Sequence, residues 1–240
     1  MKFIANALII AALTFAAPAL LSFSSARAQS PEGAWTFSSG DTTTMLLITP
    51  GYFSCAVYNE AGKSFIQTFG GAWKANDDQV TLNIEFHTKG KEQLGPQQVA
   101  IASLTPTKLV TVSALGGRQE WARVDEGKGV LSGDWRISAR EQNGKMNPMR
   151  PGARKTVKIL SGTRFQWVAM NTDTGEFFGT GGGSYTFKDG VYTENIDFFS
   201  RDGSRVGAAL SFQGKVTGND WDHRGHSSKG DPIHEVWTRQ

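Results

Sequence analysis

"GGGSYTFKDGVYTENIDFFS", residues 181–200, reads as two β-strands around a tight turn. Lys188-Asp189-Gly190 supplies the turn, because Asp-Gly between alternating runs favours a two-residue hairpin. In the second strand Tyr192, Ile196 and Phe198 alternate with Thr193, Asn195 and Asp197, so one face looks inward and the other outward. Glu194 falls on the inward face. A buried, uncompensated carboxylate costs several kcal/mol, so a cation, a hydrogen-bond donor, a proton or water must answer it.

Working outward, the same alternation recurs in short runs near 133–140, 155–160, 164–170, 176–179, 183–187, 191–199, 206–215, 219–223 and 234–239. Turn signals separate them: "TDTG" at 172–175, "RDG" at 201–203 and "TGND" at 217–220. Amphipathic runs of period 3.6 are missing, so the chain is all-β. A meander of eight or more strands must hide its edges, and closing into an up-and-down antiparallel barrel does so.

The pattern occurs twice. "GAW" at 33–35 returns as "GDW" at 133–135, and "EWAR" at 120–123 returns as "VWTR" at 236–239. Between these ends an offset of 112 matches Phe53 with Phe165, Thr68 with Thr180, Gly70-Gly71 with Gly182-Gly183, Trp73 with Tyr185, Ile84 with Ile196 and Phe86 with Phe198. The expectation is two tandem small up-and-down antiparallel β-barrels, residues 31–124 and 131–240, joined by a polar linker at 125–129.

Gly-x-Trp in a first strand with Arg in the last resembles the signature of lipocalins and their calycin relatives. Unit two, with "FQWVAMNTDTG", "VYTENIDFFS", "W-x-H-x-G" and "EVWTR", is similar to secreted bacterial lipocalin-like domains of unknown function. Unit one keeps the frame but lacks the Tyr-x-Glu and Trp-x-His. The resemblance implies barrels closed at one end by Arg123 stacked on Trp35 and Arg239 on Trp135, a cation–π contact of about 0.5–2 kcal/mol.

Residues 1–28 carry a basic start, an apolar run and an Ala-x-Ala end, the marks of a secretory signal peptide cleaved after Ala28. A periplasmic or secreted protein follows, with no stable membrane span. Cys55 is the only cysteine, so no intramolecular disulfide forms. It alternates with Phe53 and Val57 and reads as a buried structural thiol. A dispersed net charge of +3 does not argue for nucleic acid.

In unit one, Val80, Leu82, Ile84 and Phe86 share the inward face, with Leu82 at the place of Glu194, so unit one is expected to be a closed apolar core. In unit two, Trp167, Tyr192, Glu194, His223 and Glu235 are expected to line a site for a small, partly apolar molecule. The alternatives are a barrel enzyme using Glu194 and His223 as acid and base, and an envelope protein–protein module without a ligand. His223, His226 and His234 sit in loop composition near Asp222 and Asp231, so no metal is expected, and nothing implies a cofactor. "NPMRPGARK" at 147–155 reads as a long basic loop over a barrel mouth, with Arg150, Arg154 and Lys155 able to meet an anion.

Overall fold

A computed structural model describes residues 30–77, 79–114, 117–227 and 230–240. Residues 1–28, expected to be a signal peptide, lie outside the described residues. Two eight-stranded antiparallel barrels stand in tandem. The first runs β1 (Gly33–Ser39), β2 (Thr42–Thr49), β3 (Tyr52–Asn59), β4 (Ser64–Asn76), β5 (Gln79–His87), β6 (Gly95–Leu104), β7 (Lys108–Ser113) and β8 (Gly117–Asp125), and β1 pairs with β8 to close it. The second runs β9 (Gly133–Gln142), β10 (Lys145–Pro148), β11 (Arg154–Leu160), β12 (Arg164–Asn171), β13 (Phe177–Lys188), β14 (Val191–Phe199), β15 (Ala209–Thr217), β16 (Asp220–His226) and β17 (Pro232–Arg239). Here β9 closes on β17, and β10 is a short hairpin arm on the far half of β9.

Local chemistry explains the turns. Asp189 and Gly190 both have positive φ (51° and 77°) between the paired Lys188 and Val191, the two-residue turn whose twist suits a hairpin. Asn143-Gly144 does the same (53° and 73°) between Gln142 and Lys145, and so creates β10. That strand occupies part of the stretch expected to be a long mouth-covering loop. The runs at 176–179 and 183–187 are one strand, β13, kinked by a bulge at Gly182/Gly183. Gly183 has φ +157°, and a Cβ there would lie 2.0 Å from the Asn195 carbonyl oxygen, so only glycine fits; Gly71 repeats this against Asn83.

One end of each barrel is closed alike. The Arg123 guanidinium lies 3.9 Å over the Trp35 ring and that of Arg239 4.1 Å over Trp135. Each tryptophan donates from Nε1 to a carbonyl four residues earlier, Pro31 and Leu131, at 2.8 Å. The opposite end, framed by 59–64, 87–95, Ser113 and Gly117 in barrel one, is the mouth.

The two barrels dock on matching faces. Met45, Leu47, Ala56, Tyr58 and Phe86 form one buried cluster with Val157, Ile159, Val168, Met170 and Phe198, each of which lies 112 positions after its counterpart. Tyr58 stacks on Phe198 at 4.7 Å. Gln166 Nε2 donates to Thr68 Oγ1 at 2.8 Å and to its counterpart Thr180 Oγ1 at 3.0 Å, and those hydroxyls donate to the Cys55 and Trp167 carbonyls. At the rim Gly203 sits against Lys63 and Gly175 against Lys91, again a pair exchanged by the offset. This is an approximate two-fold arrangement, residue i against residue j and j against i. Asp125, expected in a free linker, accepts from Gly127, Ser161, Gly162 and Thr163 at 2.7–2.9 Å. Burial opposes its ionisation, but these donors prevail and lower its pKa.

Candidate functional site

The interiors differ although the frames match. In barrel two Tyr192, Glu194, His223 and Glu235 do point inward, at 0%, 4%, 2% and 6% exposure, but among packed aromatic rings. Trp135, Phe165, Tyr185, Phe212, Trp221 and Trp237 fill the space around them. Trp167 is half-buried midway along β12, edge-on to Phe199 at 5.5 Å.

Glu194 is answered by a cation that the sequence reading did not name. Lys158 Nζ meets Glu194 Oε1 at 2.7 Å, with both side chains buried. The same ammonium lies 4.9–5.8 Å from the centres of the Tyr192, Trp237, Trp221 and Phe165 rings. Such faces attract a desolvated cation. Glu235 is held by Arg140 at 2.6 Å and by Trp237 Nε1 at 3.1 Å. His223 stacks on Phe212 at 4.2 Å and comes no nearer than 3.9 Å to Glu235. Burial first, then the Lys158 charge, hold its pKa well below the ordinary histidine value. A neutral histidine and a lysine-bound carboxylate are not set apart as acid and base. The charges of Glu194 and Glu235 are thus matched internally, by Lys158 and Arg140.

The loop residues also take structural places. Lys155 crosses to the other barrel and meets Glu85 at 2.7 Å. Arg154 lies over Phe178 at 4.6 Å. His234 is bound between Glu141 (2.7 Å) and Asp222 (3.0 Å), while His223 is in the core and His226 is exposed, so the three histidines do not converge.

A cavity lies inside barrel one, which corrects the expectation of a closed core there. Its volume is about 570 Å³. This falls within the range of small-molecule sites, roughly 300–1,000 Å³. Phe37, Leu46, Ile48, Phe53, Val57, Phe69, Leu82 and Ile101 supply apolar wall. The cause of the space is legible residue by residue. Tyr192 and Phe212 form a cross-strand pair in barrel two; Val80 and Val99 form it in barrel one. Trp221 opposite Trp237 becomes Leu109 opposite Trp121, and His223 opposite Glu235 becomes Thr111 opposite Gln119. Four large rings are thus replaced by small side chains. Trp167 opposite Gly181 becomes Cys55 opposite Phe69, an exchange of large and small that adds no space. The buried ion pair is also replaced, because the 112 offset puts Leu46 at Lys158 and Leu82 at Glu194.

The cavity's polar groups are few. Thr44, Gln67, Gln97, Thr111 and Gln119 face it from five strands. His87 stacks on Phe69 at 5.4 Å, and its Nδ1 accepts from the Lys89 backbone N–H at 2.9 Å. Burial, then the Lys89 charge, lower its pKa. Cys55 lines the wall with its thiol pushed up to about 12 by burial, so it is no nucleophile. A scan against protein-family models finds no match, and a search of curated proteins finds no matching relative.

Proposed function

We propose that this is an exported, lipocalin-like protein, periplasmic or secreted, that holds a small, largely apolar molecule inside barrel one, with barrel two as its structural partner. The observation that carries the reading is the 570 Å³ apolar cavity, opposed to an equivalent barrel whose interior is filled. The Arg-over-Trp closure of both barrels supports the calycin resemblance, and the signal-peptide features of residues 1–28 support export. The test is titration of the mature chain with the neutral fluorophore N-phenylnaphthylamine. Saturable binding is expected. Val99→Phe, which copies Phe212 into the cavity, should weaken it about tenfold or more. No saturable binding, or unchanged affinity in Val99→Phe, refutes the reading.

A second reading keeps a guest in barrel two. It is favoured by Tyr192 Oη, Trp221 Nε1 and both His223 ring nitrogens, which are buried without a hydrogen-bond partner of good geometry. Such a guest would be small and polar, because the surrounding rings leave little room.

A further inference from the structure

Building on the cavity reading, we infer that the ligand of barrel one is an uncharged amphiphile, entering tail first, whose hydrogen-bonding headgroup is read by a ring of neutral amides and hydroxyls just inside the mouth.

The ring follows from strand positions. Thr44 is the third residue of β2, Gln67 the fourth of β4, Gln97 the third of β6 and Gln119 the third of β8, and all four strands begin at the mouth. Below them the wall is apolar down to Val80 and Leu109 near the closed end. The cavity is therefore divided into a polar collar and an apolar floor. Two of the collar's three amides are available: among the described residues, neither Gln67 nor Gln97 has a side-chain hydrogen bond to protein, whereas Gln119 Nε2 donates to the Glu120 carbonyl at 3.0 Å and the outward-facing Gln98 is engaged by Thr81. Each amide offers both donors and an acceptor, so it complements a hydroxyl, an amide or a carbonyl.

Charge is what the collar lacks. A carboxylate or ammonium drawn below the mouth would be desolvated with no opposite charge beside it, and that cost outweighs a neutral hydrogen bond. His87 faces the cavity, but its lowered pKa leaves it neutral at pH 7 and above. Among the described residues Lys89 is the one charged lining residue. It is exposed on the rim, in the same connection as Glu92, and a rim charge in water contributes little. Barrel two shows what a charged interior requires here: the Lys158–Glu194 pair is built in complete, from both partners.

The experiment is competition at pH 8 against bound N-phenylnaphthylamine, using decanamide, decanol, decanoate and decyltrimethylammonium. The tails match, so the headgroup alone differs. Decanamide and decanol should displace the fluorophore at concentrations about tenfold lower than either ion. In the double variant Gln67→Leu/Gln97→Leu the ratio of decanamide to decanoate affinity should fall toward one, with thermal unfolding confirming that the barrels remain folded. Comparison within one variant cancels any general change in the cavity. Decanoate binding as tightly as decanamide overturns the inference, as does an unchanged ratio in the double variant. Failure of N-phenylnaphthylamine itself to bind refutes the cavity reading, a different result from loss of headgroup preference.

Discussion

Replacing Lys158 and Glu194 separately and together measures what a buried charge costs in this fold. At 5% and 6% side-chain exposure neither partner has water to fall back on. In Lys158→Leu the stranded carboxylate escapes by taking a proton, which at pH 7 costs roughly 3.7 kcal/mol from the 2.7-unit gap to an ordinary glutamate pKa. In Glu194→Leu the stranded ammonium escapes by losing one, at roughly 4.6 kcal/mol, but the four rings around it cushion the charged form. Each single change should therefore destabilise by about 3–4 kcal/mol, with Glu194→Leu the milder. The double change recreates Leu46 and Leu82 of barrel one and should be neutral or stabilising by up to about 4 kcal/mol. Chemical denaturation at pH 7, followed by fluorescence of the four tryptophans of barrel two, gives the values. Repeating Lys158→Leu at pH 4.5 should recover most of its loss, because protonation is then nearly free. The argument fails if either single variant costs under 1 kcal/mol, or if the double costs as much as the singles added.

Three further outcomes are expected. Arg239→Ala should destabilise by about 1–3 kcal/mol in denaturant melts, since it removes the ring contact at 4.1 Å and leaves the Val130 and Ser132 carbonyls without that donor. Phe198→Ala, in the docking face, should cost about 3–5 kcal/mol. Because Phe198 touches Tyr58 and Phe65 of the other barrel, barrel-one tryptophans should report the loss too; an effect confined to barrel two counts against docking. His223→Phe should make stability less sensitive to acid. The folded-state pKa of His223 is depressed, so it is uncharged in both states above pH 6.5, and its unfolded form takes up a proton below that. Relative to wild type the variant should gain about 2 kcal/mol between pH 7 and pH 5. Measuring the difference between variant and wild type cancels Asp134 and Asp197, whose pKa values burial raises to about 6 and whose effect has the opposite sign.

The fold was legible because period-2 alternation and Asp-Gly turns are local signals, and because the paired ends Gly-x-Trp and Trp-x-Arg mark where each barrel begins and closes. The inward phase of Glu194, His223 and Glu235 was legible for the same reason. Their meaning was not. Lys158 lies 36 positions before Glu194, and only closure of the sheet makes them neighbours. Lysine on an inward strand position is itself a signal, and the run Thr156-Val157-Lys158-Ile159 contained it. Volume is the other missing term. Alternation says which side chains face in, not whether they fill the space, and a polar residue drew attention to barrel two while the small residues at Val80, Val99, Leu109 and Thr111 marked barrel one. The docking face was hidden for a related reason: Met45, Leu47, Ala56 and Tyr58 are apolar on the side that an isolated barrel turns to water. Asn143-Gly144, which makes β10, is a hairpin signal of the same local kind as Asp189-Gly190.

The matched docking faces give this chain a freedom that two identical subunits do not have. In a symmetric pair every substitution appears twice, so a mutation that plugs one interior plugs both. Here the two copies share a single polypeptide and each has its own codons. The outer surfaces at the contact must still fit one another, and they keep the same pattern of Leu or Ile, Ala or Val, and Phe. The interiors answer to no such constraint. One is a ring-filled, ion-paired core and the other an open room, and that difference needs no change in the way the halves meet.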